Sequence, residues 1–129
     1  MLQNIPMDEI TPQRRVLIVD DNPDVAEITA LLLTDAGFEV RVAFDGAEAL
    51  DTAAAFEPQI VFMDLGMPGL DGYEVCRRMR QAAWGQSAKL IAVSGWARPE
   101  DQQRSAAAGF DRHLVKPVDP TAFIEIAGS

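Results

Sequence analysis

The stretch Ile60-Val61-Phe62-Met63-Asp64-Leu65-Gly66-Met67-Pro68-Gly69 predicts the central strand of the fold and the turn that follows it. Its four leading apolar residues, two of them β-branched, are typical of a strand buried on both faces of a parallel sheet. The apolar run ends at Asp64, and Met67-Pro68-Gly69 has the composition of a turn. Asp64 is therefore predicted to lie where a buried strand passes into a loop, at the sheet edge where open α/β folds bind ligands.

Three further apolar runs also end in polar side chains. They are Arg15–Val19, followed by Asp20 and Asp21; Leu90–Val93, followed by Ser94; and His113–Val115, followed by Lys116 and Pro117. Any one of these endings could be an ordinary helix cap, turn residue or exposed charge. Because parallel strands bring their carboxyl ends to the same edge, the four endings together predict a single shared site.

Helical segments separate the predicted strands. The first runs from Pro23 to about Gly37, with an apolar stripe formed by Val25, Ile28, Leu31 and Leu32. The alternating segment 38–43 predicts a half-exposed edge strand, and later helices begin near residues 45, 71, 99 and 119. Right-handed crossovers then give an α/β fold with three layers, a doubly wound, flavodoxin-like parallel sheet of five strands in the order 2-1-3-4-5.

Composition narrows the possible function classes. The 129 residues are enough for one domain, with 48% hydrophobic residues and a formal net charge of −9. This charge argues against nucleic acid or an anionic membrane as the direct partner. The single cysteine, Cys76, predicts neither a disulfide framework nor a zinc site.

The sequence has no secretory or membrane-spanning apolar run, so a cytoplasmic protein is expected. Residues 1–13 are expected to form a poorly ordered leader, and residues 14–129 the domain.

The polar side chains at this edge suit phosphoryl transfer. The carboxylates of Asp20, Asp21 and Asp64 would repel one another unless a cation joined them, and Mg²⁺ prefers such oxygen ligands. Lys116 and Ser94 would contact phosphoryl oxygens through an ammonium group and a hydroxyl. In this interpretation Asp64 is the nucleophile and forms an acyl phosphate.

From about Arg14 onward the chain resembles the receiver domains of bacterial two-component response regulators. The resemblance rests on the residues after each strand: Asp20-Asp21, Asp64 with Met67-Pro68-Gly69-Leu70-Asp71-Gly72, Ser94, and Lys116-Pro117. It implies a phosphoacceptor rather than an enzyme, which takes a phosphoryl group from the phosphohistidine of a histidine kinase or histidine phosphotransfer protein and controls a downstream effector protein.

The resemblance also assigns roles to individual residues. It implies that Asp20, Asp21, Asp64 and the Gly66 carbonyl hold Mg²⁺, and that the Lys116–Pro117 peptide is cis. Ser94 and the residue at position 113 would form the switch; His113 stands where many members carry Tyr or Phe. Gly66 and Trp96 occupy the positions that set the lifetime of the phosphoryl group.

Other functional classes fit the residues less well. The chain could be a receiver segment of a hybrid histidine kinase or a phosphorelay shuttle. A haloacid-dehalogenase-type aspartyl-phosphate hydrolase would require an Asp-x-Asp motif after the first strand, where this chain has two adjacent acids. A flavodoxin-like electron carrier would require a Ser/Thr/Gly-rich phosphate loop there, and a receiver-like module without phosphorylation would lack one of the four groups.

Overall fold

The computed structural model describes residues 13–129 apart from Leu70 and Ala97, so residues 1–12 of the predicted leader lie outside the described residues. Strands and helices alternate through this part of the chain. In order they are β1 Arg15–Val19, α1 Pro23–Asp35, β2 Glu39–Ala43, α2 Gly46–Phe56, β3 Ile60–Asp64, α3 Gly72–Gln81, β4 Lys89–Ser94, α4 Pro99–Ala108, β5 Arg112–Val115 and α5 Pro120–Gly128. A short 3-10 helix, Trp84–Gln86, lies between α3 and β4.

The five strands form one parallel sheet in the order β2-β1-β3-β4-β5, so the predicted topology is confirmed. β3 is buried along its whole length, whereas β2 alternates between exposed and partly buried residues at the border of the sheet. The winding reverses between β1 and β3, which places the carboxyl ends of these strands beside the crevice of the fold.

Alternate residues of each strand point into two separate apolar clusters. Val16, Ile18, Ile60 and Phe62 belong to the cluster on the face that carries α1 and α5. Leu17, Val19, Val61 and Met63 belong to the cluster on the opposite face, with α2, α3 and α4. The period of two along a strand therefore produces the three predicted layers.

Side-chain caps begin four of the helices. Asn22, Asp45, Asp71 and Asp119 each accept hydrogen bonds from backbone N–H groups of the first turn that follows. Because the first N–H groups of a helix have no intrahelical partner, these caps fix each helix start close to the sheet edge.

Three of the four residues in the apolar stripe predicted for α1 are exposed, and the fourth, Leu32, is partly buried. Val25, Ile28 and Leu31 are 46%, 62% and 63% exposed, while the buried positions of α1 are Ala26, Thr29 and Leu33. The buried face includes a small side chain and a threonine, which hydrophobicity alone does not reveal. Val25, Ile28 and Leu31 form an exposed apolar surface on α1.

Polar contacts hold α4 in place. Its buried side chains are Ser105 and Ala108, as expected for a helix without large apolar residues. The Arg104 guanidinium lies 4.1 Å from the ring centroid of Tyr73 and 3.3 Å from the Asp71 carboxylate, both near the start of α3. Arg80 of α3 donates to the carbonyl of Gly109, where α4 ends.

None of the described helices combines the length and apolar character that a membrane crossing requires.

Candidate functional site

Three carboxylates meet at the carboxyl end of the sheet. Asp20 and Asp21 follow β1, Asp64 ends β3, and one oxygen of each lies within 4.8 Å of the others. Asp20 and Asp64 are buried, whereas Asp21 is exposed. A hard divalent cation takes such a set of oxygen ligands, and its charge would offset the repulsion among the carboxylates. The residues present therefore fit a Mg²⁺ site, with the Gly66 carbonyl remaining a predicted ligand.

The pKa of Asp20 reflects its burial and the charges of its neighbours. Burial raises the pKa of Asp20 above its ordinary value, and the neighbouring Asp64 carboxylate adds to that rise. The backbone N–H of Asn22 and the Lys116 ammonium oppose it. Burial and a like charge both disfavour the ionised form, so a bound cation would stabilise this part of the fold.

Asp64 has a defined set of neighbours. Lys116 Nζ donates to Asp64 Oδ2 at 3.0 Å, and the Gly66 N–H donates to Oδ1 at 2.8 Å. Lys116 directly follows β5. Its backbone N–H donates to the Ser94 carbonyl at 2.8 Å and extends the β4–β5 pairing, which fixes the position of Lys116. The Lys116–Pro117 peptide that follows is cis.

Ser94, at the end of β4, belongs to a chain of hydrogen bonds that leads away from Asp64. Its buried hydroxyl lies 2.6 Å from His113 Nε2 on β5. His113 Nδ1 in turn lies 3.1 Å from the hydroxyl of Ser105, a buried residue of α4. The imidazole therefore joins the last residue of β4 to the second turn of α4.

The two residues predicted to influence the phosphoryl lifetime also lie at this edge. Gly66 and Trp96 line a cavity of about 850 Å³ that also includes Asp64 and Lys116. A Cβ at position 66 would stand 3.3 Å from Asp64 Oδ1, so the lack of a side chain there leaves space beside the carboxylate. The Trp96 side chain is half exposed, and only its backbone groups bond to the Ser94 hydroxyl.

Residues 16–127 match the family model of the response regulator receiver domain. The chain belongs to this family. Its described fold and its acidic cluster are those of a receiver domain, and the resemblance identified from the sequence is confirmed.

Several curated relatives share the domain. The receiver domain is 37% identical over 114 residues to an uncharacterised 14.6 kDa protein of Leptolyngbya boryana, with 88% of this chain and 87% of that protein covered. It is 38% identical over 111 residues to the transcriptional regulatory protein PrrA of Mycobacterium leprae, with 86% of this chain and 47% of PrrA covered. The chain thus spans about half the length of such regulators.

Solved structures show the same fold. The chemotaxis response regulator CheY4 of Vibrio cholerae superposes with a TM-score of 0.84 at 29% identity, covering 91% of the receiver domain and 98% of CheY4. A putative response regulator of Chloroflexus aurantiacus gives a TM-score of 0.81 at 31% identity, covering 92% and 100%.

The geometry brings the predicted side chains to one edge of the receiver domain and adds one residue that the sequence did not reveal. Ser105 lies in the interior of an alanine-rich helix, where a serine attracts no notice. Only the packing of α4 against β5 places its hydroxyl beside His113. Nothing in the sequence indicates that a serine at this position of α4 would contact His113.

The stability of the receiver domain should fall in mildly acidic solution because of His113. Burial lowers the pKa of His113 below its ordinary value of 6.5, and Asp101 only partly offsets this effect. The unfolded chain then binds the proton more readily, so the stabilising contribution of His113 is present above pH 6.5 and is lost as pH falls through the folded-state pKa. Urea unfolding of wild type and His113→Gln between pH 7.5 and 5.5 measures this, and parallel pH dependences would contradict it.

Proposed function

We propose that this receiver domain is the phosphoacceptor of a two-component signalling system, in which Asp64 takes a phosphoryl group from a phosphohistidine and the domain changes conformation to control a partner. The observation that carries the proposal is the surroundings of Asp64. It is a buried carboxylate bonded to Lys116 at 3.0 Å and clustered with Asp20 and Asp21. Positioning and charge neutralisation of this kind are the main requirements for phosphoryl transfer.

The transfer is a displacement at phosphorus. An oxygen of the Asp64 carboxylate forms the new O–P bond while the N–P bond of the phosphohistidine breaks. The imidazole leaves with that electron pair and takes up a proton, and the phosphoryl group remains as an acyl phosphate on Asp64. The Lys116 ammonium, 3.0 Å from Asp64 Oδ2, is placed to neutralise charge on the phosphoryl oxygens.

Asp20, Asp21 and Asp64 would hold Mg²⁺, together with the Gly66 carbonyl. When bound, the ion supplies charge neutralisation for the carboxylates and the phosphoryl oxygens. Asp20 is buried and its N–H bonds to the Ala43 carbonyl, so β1 and β2 fix its position. Asp21 is exposed and would complete the ligand set from the solvent side.

The phosphodonor is expected to be a histidine kinase or a histidine phosphotransfer protein. The exposed Val25, Ile28 and Leu31 of α1 support a protein donor, because Val25 and Ile28 also line the cavity beside Asp64. Apolar side chains next to a polar site are characteristic of protein interfaces. The signal would pass to a downstream effector protein, and the net charge of −9 favours a protein effector over direct contact with nucleic acid.

Charges on the α1 surface should separate protein donors from small donors. In the variant Leu31→Asp, transfer from a phosphohistidine protein should slow by at least about tenfold, the size of an interface hot spot. Uptake from a small phosphodonor should be unchanged, because Leu31 is exposed and does not line the cavity beside Asp64. Thr34→Asp adds the same charge to an exposed position of α1 and serves as the control. Equal slowing with both kinds of donor would contradict the role of this surface.

The lifetime of the phosphoryl group should depend on Trp96. Water attacking in line releases the phosphoryl group, so a ring that covers the site prolongs its life. Since Gly66 offers no side chain to hold or block water, Trp96 is the candidate cover at this edge. In excess Mg²⁺, Trp96→Ala should lose the phosphoryl group at least about threefold faster than wild type. Trp96→Phe should stay close to wild type, and equal or slower loss in Trp96→Ala would refute the cover.

The direct test of the proposed function is incubation with a small phosphodonor, with and without Mg²⁺, followed by whole-protein mass measurement. One added phosphoryl group that depends on Mg²⁺ is the expected result. No added mass with small donors and with a panel of phosphohistidine proteins would contradict the proposal.

A further inference from the structure

The distances around His113 favour one position for the ring hydrogen. The Ser105 hydroxyl lies 3.0 Å from the Gln102 carbonyl and can donate its one hydrogen there. Its oxygen then faces His113 Nδ1, 3.1 Å away, as an acceptor, which matches a ring with the hydrogen on Nδ1. The opposite tautomer would require Ser105 to donate to Nδ1 and Ser94 to donate to the Trp96 carbonyl.

The short contact at Nε2 favours the Nδ1–H tautomer. In a neutral imidazole with Nδ1 protonated, Nε2 has a lone pair and no hydrogen. The Ser94 hydroxyl can donate its one hydrogen either to Nε2 at 2.6 Å or to the Trp96 carbonyl at 3.1 Å, and the shorter distance favours Nε2 as the acceptor.

We propose that Ser105 is a positioning residue of the switch: it fixes His113 as the Nδ1–H tautomer, so that His113 Nε2 holds the Ser94 hydroxyl away from the phosphorylation site. The consequence for signalling rests on the proposed function, because a phosphoryl group on Asp64 would compete with Nε2 for the Ser94 hydrogen. When Ser94 turns to that group, the partly buried His113 loses the donor to its Nε2, and the imidazole must move or exchange its proton. Either response disturbs the bond to Ser105 and hence α4.

The surroundings of His113 support a neutral ring near neutral pH. The facing residues of β4 are Ala92, its register partner, and Ser94, and neither carries a charge. From α4 the acting charge is Asp101, which is paired with Arg98 at 2.9 Å. A carboxylate already engaged by a guanidinium attracts a second cation less strongly, so it does not overcome the effect of burial.

The tautomer can be measured without any phosphorylation. His113 is the one histidine of the 129-residue sequence, so a long-range proton–nitrogen NMR spectrum contains a single imidazole pattern. At pH 8 wild type should show a protonated Nδ1 and an unprotonated Nε2. Ser105→Ala should shift the ring mainly to the Nε2–H tautomer, because the acceptor for Nδ1–H is gone, and Ser105→Thr, which keeps the hydroxyl, should restore the wild-type pattern. An Nε2–H tautomer in wild type would overturn the proposal without reference to any variant.

The effect on α4 is measured by amide exchange with and without phosphorylation. In wild type, protection across α4 should fall by about fivefold on phosphorylation, the change expected from one lost hydrogen bond. In Ser105→Ala it should already be at the lower level and change little, although the variant takes up the same amount of phosphoryl group. A wild-type response in Ser105→Ala would overturn the relay. Failure of both proteins to accept a phosphoryl group would count against the proposed function and leave the tautomer result intact.

Discussion

Asp64→Asn is expected to gain no phosphoryl group from a small phosphodonor in Mg²⁺, under conditions in which wild type gains one. The amide oxygen of asparagine is too weak a nucleophile to form the acyl phosphate, while the side chain keeps its shape within β3. The Gly66 N–H can still bond to the side-chain oxygen, so the fold should be retained. The expected effect is complete loss of the modification, measured as intact protein mass.

The matched control is Asp51→Asn. Asp51 is an exposed carboxylate of α2 outside the acidic cluster, so its replacement changes the net charge by the same amount and should leave uptake unchanged. A variant Asp64→Asn that still acquires the mass would show that another side chain accepts the phosphoryl group. Circular dichroism of both variants separates lost chemistry from lost structure.

The second large effect is expected at Asp21. With Asp21→Ala, phosphoryl uptake should be slow at Mg²⁺ concentrations that suffice for wild type, because one of the three clustered carboxylates is missing. The apparent Mg²⁺ affinity should weaken by at least about tenfold, the size found when the support of a metal ligand is removed. Because Asp21 is exposed, this loss should come without a large change in folding stability.

Mg²⁺ titrations followed by thermal unfolding provide the measurement for Asp21. In wild type the melting temperature should rise with Mg²⁺, since a ligand that binds only the folded state stabilises it. In Asp21→Ala the same rise should need at least about tenfold more Mg²⁺, whereas in Asp51→Ala it should be preserved. An unchanged Mg²⁺ response in Asp21→Ala would remove this residue from the ligand set.

Much of the fold was predictable because strand and helix periods are strong in this chain. The apolar runs before Asp20, Asp64 and Ser94 lie within strands that are buried on both faces, which is where sequence patterns are most informative. Since parallel strands share one carboxyl edge, the same runs also predicted which polar residues meet. The site followed from the topology rather than from any single motif.

The sequence was less informative where small side chains form a buried face. In α1 the packed positions include Ala26 and Thr29, and the larger Ile28 and Leu31 are exposed, so hydrophobic size pointed to the wrong side of the helix. Ser105 illustrates the same difficulty for polar contacts. Its bond to His113 depends on how α4 lies against β5, and periodicity does not encode that detail.

Chemical mapping of the modified residue tests the phosphoacceptor assignment most directly. Borohydride reduces an aspartyl phosphate to homoserine, and peptide sequencing by mass spectrometry then locates the altered residue. The proposed function predicts homoserine at position 64, dependent on prior phosphorylation and on Mg²⁺. Homoserine at position 20 or 21, or a phosphoryl group found on Ser94 or His113 instead, would contradict the assignment of Asp64.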